Sequence, residues 1–401
     1  MPTYQFKAIS ATGQNIEGKD TAASRAEILQ RLREKQQYPL TVEEVIEKDI
    51  KDMKIFGRVK TKQIAVFCRQ FYTMMNAGVT VVNSLDILRQ QVEHRRFKES
   101  IQILYEDVQK GATFSEALEK QPHIYPSLLI HMAGAGEASG SLDTVMQRMS
   151  VHYEQEFKIN NKIKSAMVYP AILSVVSIIV VIFLLTVVMP TFVSMFEGSG
   201  VPLPLPTRIL IGISNFLQRF WWVLAILAGV FVYLTRRIGT TPGGRKMYDR
   251  WKLRLPLYKS LSTKIVSGRF CRTMSTMLSS GIPLMVSLES VAGAVGNTVV
   301  GEGILSVRED VRKGVALSIP IRRTGLFPPM VDNMIKIGEE SGTLDDILDK
   351  TANFYDEEVE VEIQRLLTFV EPGMIIIMGV IIGFIVISMM MPMFNLAATI
   401  G

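Results

Sequence analysis

Gly136-Glu137-Ala138-Ser139-Gly140-Ser141-Leu142-Asp143 returns as Gly338-Glu339-Glu340-Ser341-Gly342-Thr343-Leu344-Asp345, and the two leading glutamates stand 202 positions apart (339 minus 137). Each copy runs on into a long apolar segment, which reads as two related domains, each tied to a membrane helix. The match continues outward. Phe67-Cys68-Arg69 pairs with Phe270-Cys271-Arg272, Gly78 with Gly281, Lys110-Gly111 with Lys313-Gly314 and Tyr153 with Tyr355. Tyr169-Pro170-Ala171-Ile172 aligns with Glu371-Pro372-Gly373-Met374, and Met189-Pro190-Thr191-Phe192 with Met391-Pro392-Met393-Phe394.

The apolar content is concentrated: Ser165 to Phe196, Phe220 to Thr235 and Pro372 to Gly401 contain no charged residue. The first and third can cross ~30 Å of hydrocarbon at ~1.5 Å per residue. The second becomes long enough once Ile213 to Leu217 is added, with Arg219 snorkelling at an interface. Met1 to Asp20 is polar and has no signal-peptide character. The net charge of +6 does not point to nucleic acid, because the basic residues flank the spans. Lys158, Lys162 and Lys164 precede the first, and Arg236, Arg237, Arg245, Lys246, Arg250, Lys252 and Arg254 follow the second. The positive-inside rule then places the N-terminus and both repeats in the cytoplasm, and Val201 to Pro206 and the C-terminus outside. The middle span returns the chain so that the second copy can also be cytoplasmic.

The expected fold is mainly α: two homologous cytoplasmic helical bundles of about six helices each, their last helices running into the membrane, three transmembrane helices and a small N-terminal α+β segment. The boundaries read as 1–56 for that segment and linker, 57–166 for the first repeat, 167–192 for the first span and 193–212 for an external loop. The second span is 213–235, a basic linker 236–262, the second repeat 263–370 and the third span 371–395. Within the front piece, Thr3 to Ile9 and Ile16 to Asp20 read as a hairpin, Ala22 to about Lys35 as a helix and Leu40 to Val45 as extended. Thr113 to Lys120 looks helical, whereas Pro320 argues against a helix over Val315 to Gly325.

The repeated block has a structural reading first. Gly140 and Gly342 suit the positive φ that stops a helix, as do Gly78 and Gly281, while Ser141 and Thr343 suit the cap of the next helix. Gly136 and Gly338 admit a close neighbour, Leu142 and Leu344 begin the following helix, and Pro170 and Pro372 mark entry to the spans. Glu137 and Glu339 read as structural carboxylates or partner contacts before they read as catalytic. Asp356, Glu357, Glu358, Glu360 and Glu362 form an acidic stretch that the first copy lacks, a candidate contact for a basic cytoplasmic partner. Cys68 and Cys271 occupy one repeat position and read as small buried helix residues. No catalytic motif, metal-ligand spacing or cofactor site is visible; Gly239 to Lys246 lacks the Gly-Lys-[Ser/Thr] ending of a phosphate loop. A transporter or channel is disfavoured because the spans hold no ionisable residue inside the bilayer, Arg219 and Glu371 lying near its edges, and a membrane enzyme because no catalytic constellation exists.

With these residues in view the chain resembles the family of type IV pilus platform proteins (PilC) and their type II secretion relatives (GspF). The resemblance rests on Tyr4 to Val42, Phe67 to Gly78, Phe114 to Leu142, Tyr169-Pro170, Leu205-Pro206-Thr207, Gly244 to Pro283, Phe327-Pro328-Pro329-Met330 and Gly338 to Leu344. It implies a non-enzymatic, cofactor-free platform of the cytoplasmic membrane. Its implied partners are a hexameric assembly ATPase, in pilus systems also a retraction ATPase, prepilins, other inner-membrane pilus assembly proteins, further copies of itself and membrane lipids, but no nucleic acid.

Overall fold

A computed structural model describes residues 3–10, 15–21, 27–29, 34, 37–45, 59–197 and 204–400. The chain divides into two units, residues 1–58 and 59–401. In the first, strands β1 (Thr3–Ser10), β2 (Asn15–Thr21) and β3 (Gln37–Val45) form an antiparallel sheet in the order β2-β1-β3. The hairpin and the extended third segment are thus found where the alternating pattern puts them, with β1 bulged against β3 between Lys7 and Ala8. Ala8 and Ile28 are buried. Residues 27–29 and 34 are helical; the rest of the expected helix, the turn at 11–14 and the linker up to residue 58 lie outside the described residues.

The second unit holds the duplication. The first copy comprises α1 (Thr61–Asn76), α2 (Val81–Gln91), α3 (Arg95–Gln109), α4 (Phe114–Glu119), α5 (Ser127–Ser139) and α6 (Leu142–Ala166). The helix continues past Met167 as α7 (Val168–Phe183), a π-helical turn (Leu184–Val188) and α8 (Met189–Glu197). After α9 (Leu205–Thr240) and α10 (Pro242–Arg254), the second copy comprises α11 (Pro256–Leu278), α12 (Leu284–Ala294), α13 (Thr298–Arg312), α14 (Ser318–Thr324), α15 (Pro329–Ser341) and α16 (Leu344–Ile400).

The helical stripes become cores. Phe67, Cys68 and Phe71 on α1 are buried with Phe97, Phe114 and Tyr125, and Phe71 stacks on Phe114 with ring centroids 4.9 Å apart. Phe270, Cys271 and Met274 do the same on α11. Each fully buried large apolar side chain contributes about 1.5–3 kcal/mol, so the stripes fix which faces turn inward. Both cysteines are fully buried, and desolvation pushes their thiols well above the usual range. The two cores are not separate, because Met277 and Ile282 of the second copy pack into the first.

One expectation needs correction. Ser318–Thr324 is helical, because Pro320 occupies the first turn, where a missing N–H costs no intrahelical bond. The basic segment 236–262 is formed by the end of α9, all of α10 and the start of α11. Along residues 167–192 a turn at Met167 lies three residues before Pro170, and the π turn ends two residues before Pro190.

Two helices among the described residues, Leu142–Ser194 and Leu344–Pro392, are long and apolar enough to cross a membrane. Only 11% and 17% of their most apolar windows are buried within the protein, which separates them from core helices of a soluble domain. Ile172, Ile178 and Ile179 on one and Ile375, Ile376 and Val380 on the other face outward.

Candidate functional site

The repeated block builds the same corner twice. Gly140 and Gly342 take φ of 70° and 72°, and the following amide closes back on the helix: Ser141 N–H donates to the Gly136 carbonyl at 2.8 Å, Thr343 N–H to the Gly338 carbonyl at 3.1 Å. The chain then reverses so tightly that a Cβ on Gly136 would stand 3.0 Å from Leu142 Cα, and one on Gly338 2.8 Å from Leu344 Cα. Gly78 and Gly281 likewise follow the ends of α1 and α11 with positive φ. The expected caps are absent, however. Ser141 makes no capping bond; its hydroxyl lies 2.7 Å from that of Ser139, and Thr343 pairs identically with Ser341.

The corner aims the glutamates. Glu137 accepts from the backbone N–H groups of Phe114 and Ser115, the latter at 2.9 Å, and from the Ser115 hydroxyl. Glu339 accepts from Leu317 N–H, from Ser318 N–H at 3.1 Å and from the Ser318 hydroxyl at 2.8 Å. Each carboxylate therefore caps the start of a short helix, α4 or α14, meeting orphan donors and the positive end of the helix dipole. The capping residue lies more than twenty positions downstream of its target, so local pattern reading could not find it.

The acidic stretch is largely engaged within the chain. Lys264 bridges Glu358 at 2.9 Å and Glu362 at 2.6 Å, Lys162 of the first copy meets Glu360 at 2.6 Å, and Arg272 holds Asp356 and Asp349. The Lys264 hydrogen bond holds buried Glu362 below the usual carboxylate range, whereas desolvation raises Asp356 against the pull of Arg272. Glu357 is exposed. Further bonds tie the copies together: Arg269 to Asn160 at 3.0 Å, and His131 to Ser290 at 2.6 Å. His152 of α6 sits buried against Thr276, and desolvation together with Arg272 and Arg269 lowers it to about 4.

The apolar ends hold a second site that sequence reasoning misses. A proline cannot donate to the carbonyl four residues earlier, so Pro392 leaves the Ser388 carbonyl orphaned; Thr207 Oγ1 of α9 donates to it. Pro190 occupies the equivalent position in the first copy. Its orphan is the Thr186 carbonyl in α spacing or the Leu185 carbonyl in π spacing. Gln218 Nε2 donates to Thr186 O at 3.1 Å, and the Ser214 hydroxyl to Leu185 O. Around these bonds Leu185, Met189, Leu210, Ile385 and Met389 form a buried cluster. A signal exists: Thr207, Ser214 and Gln218 are uncharged polar residues at i, i+7 and i+11, on one face of the helix. Nearer the helical bundles, Tyr169 O–H donates to Glu371 at 3.3 Å, so aligned positions of the two copies touch beside Pro170 and Pro372. Among the described residues no group of three or more His, Cys, Asp or Glu could hold a metal.

Residues 67–190 and 270–392 each match the family described as type II secretion system (T2SS), protein F, and residues 1–43 match its N-terminal domain. The chain is 36% identical over 405 residues to the type IV pilus assembly protein PilC of Thermus thermophilus, covering 100% of both chains. It is 35% identical to PilC of Myxococcus xanthus, over 99% of this chain and 95% of that one. With the type II secretion system protein F of Vibrio cholerae the identity is 31%, over 99% and 98%. Two matched repeats on either side of an unmatched helix, with the N-terminal domain in front, place the chain in the type II secretion system protein F family.

Proposed function

We propose that the chain is a non-enzymatic platform protein of a type IV pilus assembly machine in the cytoplasmic membrane, coupling a cytoplasmic assembly ATPase to the insertion of prepilins into the fibre. The observation that carries the reading is the continuity of each helical bundle with an apolar helix: α6 runs through α8, and α16 runs for 57 residues from the repeated block. Such rods transmit rigid-body displacement of a bundle into the bilayer, and their exposed apolar flanks suit packing against apolar prepilin stems. Higher identity to the PilC relatives than to the protein F relative favours the pilus branch. The runner-up is a platform of type II secretion.

In this reading α9 is the third span, the N-terminus is cytoplasmic and the C-terminus external. Glu137 and Glu339 are structural, and the partner-facing acidity reduces to Glu357 and the outer side of Glu360. Deletion of the gene in its source cell, followed by imaging of surface fibres and assay of secreted enzymes, tests the assignment. Loss of fibres with normal secretion is expected; loss of secretion with intact fibres overturns the pilus reading in favour of the runner-up.

A further inference from the structure

The helix α10 is built inside out. It follows α9 after a single extended residue, Thr241, and Gly244 lets its first turn lie against the end of α9, since a Cβ there would strike the Ile238 carbonyl. Its inward stripe is polar at the centre. Asp249, 3% exposed, accepts from Thr298 N–H and Thr298 Oγ1, both at 2.9 Å, and so caps α13; Lys246 pairs with Glu302, and Leu253 packs on the second core. Positions 246, 249 and 253 are one face of a helix.

The opposite face carries Met247, Tyr248 and Trp251, which are 56%, 59% and 61% exposed. At 100° per residue, Arg250 and Arg254 border this ridge on one side and Arg245 and Lys252 on the other. Arg245, Arg250 and Arg254 are exposed and form no ion pair among the described residues. Leu255 and Tyr258, just beyond, are also exposed.

An aromatic ridge between cationic borders matches a bilayer surface, where rings enter the boundary between headgroups and acyl chains and guanidinium groups meet phosphates. The placement agrees. Pro242 lies seven residues past Thr235, where the uncharged run ends, and that is about 10 Å of helix, which puts the start of α10 at the outer edge of the headgroup layer. We propose that α10 is an interfacial helix that binds an anionic lipid leaflet, inserting Met247, Tyr248 and Trp251 and pairing Arg245, Arg250, Lys252 and Arg254 with lipid phosphates. The inference rests on reading α9 as a membrane span. Through Asp249 and α13 it gives the second repeat a direct hold on the membrane surface.

The three tryptophans, Trp221, Trp222 and Trp251, provide the test. Full-length protein carrying Trp221→Phe and Trp222→Phe is placed in lipid nanodiscs of phosphatidylcholine, with or without about one third phosphatidylglycerol. In the anionic discs, Trp251 emission should be quenched more by a lipid labelled near the glycerol than by one labelled deep in the chain. Acrylamide quenching should fall about two-fold relative to the neutral discs. Combined Arg245→Glu, Arg250→Glu and Arg254→Glu should remove that lipid dependence. Unchanged acrylamide access with no lipid quenching overturns the proposal, as does shielding that appears only when a cytoplasmic protein partner is added. A companion protein retaining only Trp222 separates the two readings. If Trp222 is lipid-quenched and Trp251 is not, α9 remains a span and only the interfacial helix is lost; if neither is quenched, the span itself is refuted.

Discussion

Replacing Glu339 by alanine should open α14 more than replacing Glu137 opens α4, because the two short helices differ in what else caps them. In α4 the Thr113 hydroxyl accepts from Glu116 N–H at 3.2 Å, and the Glu116 side chain reciprocates to Thr113 N–H at 3.0 Å. Glu137 supplies only the remaining first-turn acceptors. In α14 the N-cap residue is Leu317, which has no side-chain acceptor, and Pro320 removes one donor, so Glu339 alone serves Leu317 and Ser318. Hydrogen bonds to a charged group contribute about 1.5–3 kcal/mol each, but both glutamates are only half-buried and water recovers part of the loss. A net cost of about 2–3 kcal/mol for Glu339→Ala follows, with about 1 kcal/mol less for Glu137→Ala. At about 1.36 kcal/mol per decade, the first figure is about a 30- to 150-fold rise in local opening. Hydrogen–deuterium exchange on the full-length protein in nanodiscs reads it from peptides covering 113–120 and 316–325. Wild-type exchange in α14 of the Glu339→Ala protein, or a larger effect in α4 of the Glu137→Ala protein, would refute the capping argument.

Burial holds His152 neutral in the folded protein, down to about 4 against an unfolded value near 6.5. Its contribution is thus complete above about pH 6.5 and lost as pH falls toward 4, about 2 kcal/mol by pH 5. Thermal midpoints measured between those limits should fall less steeply with acid for His152→Gln than for the parent. Thr207→Val should cost about 1 kcal/mol by leaving the Ser388 carbonyl orphaned in an apolar site. The same change should cost almost nothing in a Pro392→Ala background, where the regained backbone N–H serves that carbonyl, and a detergent thermal-shift cycle measures the difference. A Gly-Pro insertion after Gln364 should leave the protein in the membrane yet abolish fibres, because it breaks the rod joining the second bundle to its span; normal fibres on imaging would reject the coupling role.

Periodicity and duplication make most of the fold legible in the sequence. The Phe67-Cys68-Arg69 and Phe270-Cys271-Arg272 stripes are cores, the glycines after α1 and α11 are left-handed, and the repeated block is a tight corner. What is not legible has local or long-range causes. Pro320 reads as a breaker because its position within the turn depends on where the helix starts, which Glu339 sets from 21 residues away. The acidic run from Asp356 to Glu362 looks like a surface for a partner because Lys264, Arg272 and Lys162 lie far away in sequence. The π turn before Pro190 follows from a proline whose accommodation depends on Ser214 and Gln218 of another helix.

Duplication also explains why the unmatched helix α9 cannot be a passive connection. Each copy carries the same Met-Pro dipeptide near the end of its long helix, so the gene duplication created two orphan carbonyl sites in an apolar setting rather than one. An unpaired carbonyl there costs about 1 kcal/mol or more, and lipid offers no donor. Thr207 serves one site, and Ser214 and Gln218 serve the other, from the two ends of a single face of α9. The helix between the two copies is therefore the helix that completes both halves, and neither half can be separated from it without exposing its proline break. The same helix leads directly into α10, which fastens only the second repeat through Asp249. The second bundle is thus joined to α9 directly through α10, whereas the first bundle reaches it along its own long helix and through its contacts with the second bundle. Two related domains are thereby joined unequally to a segment that neither of them contains.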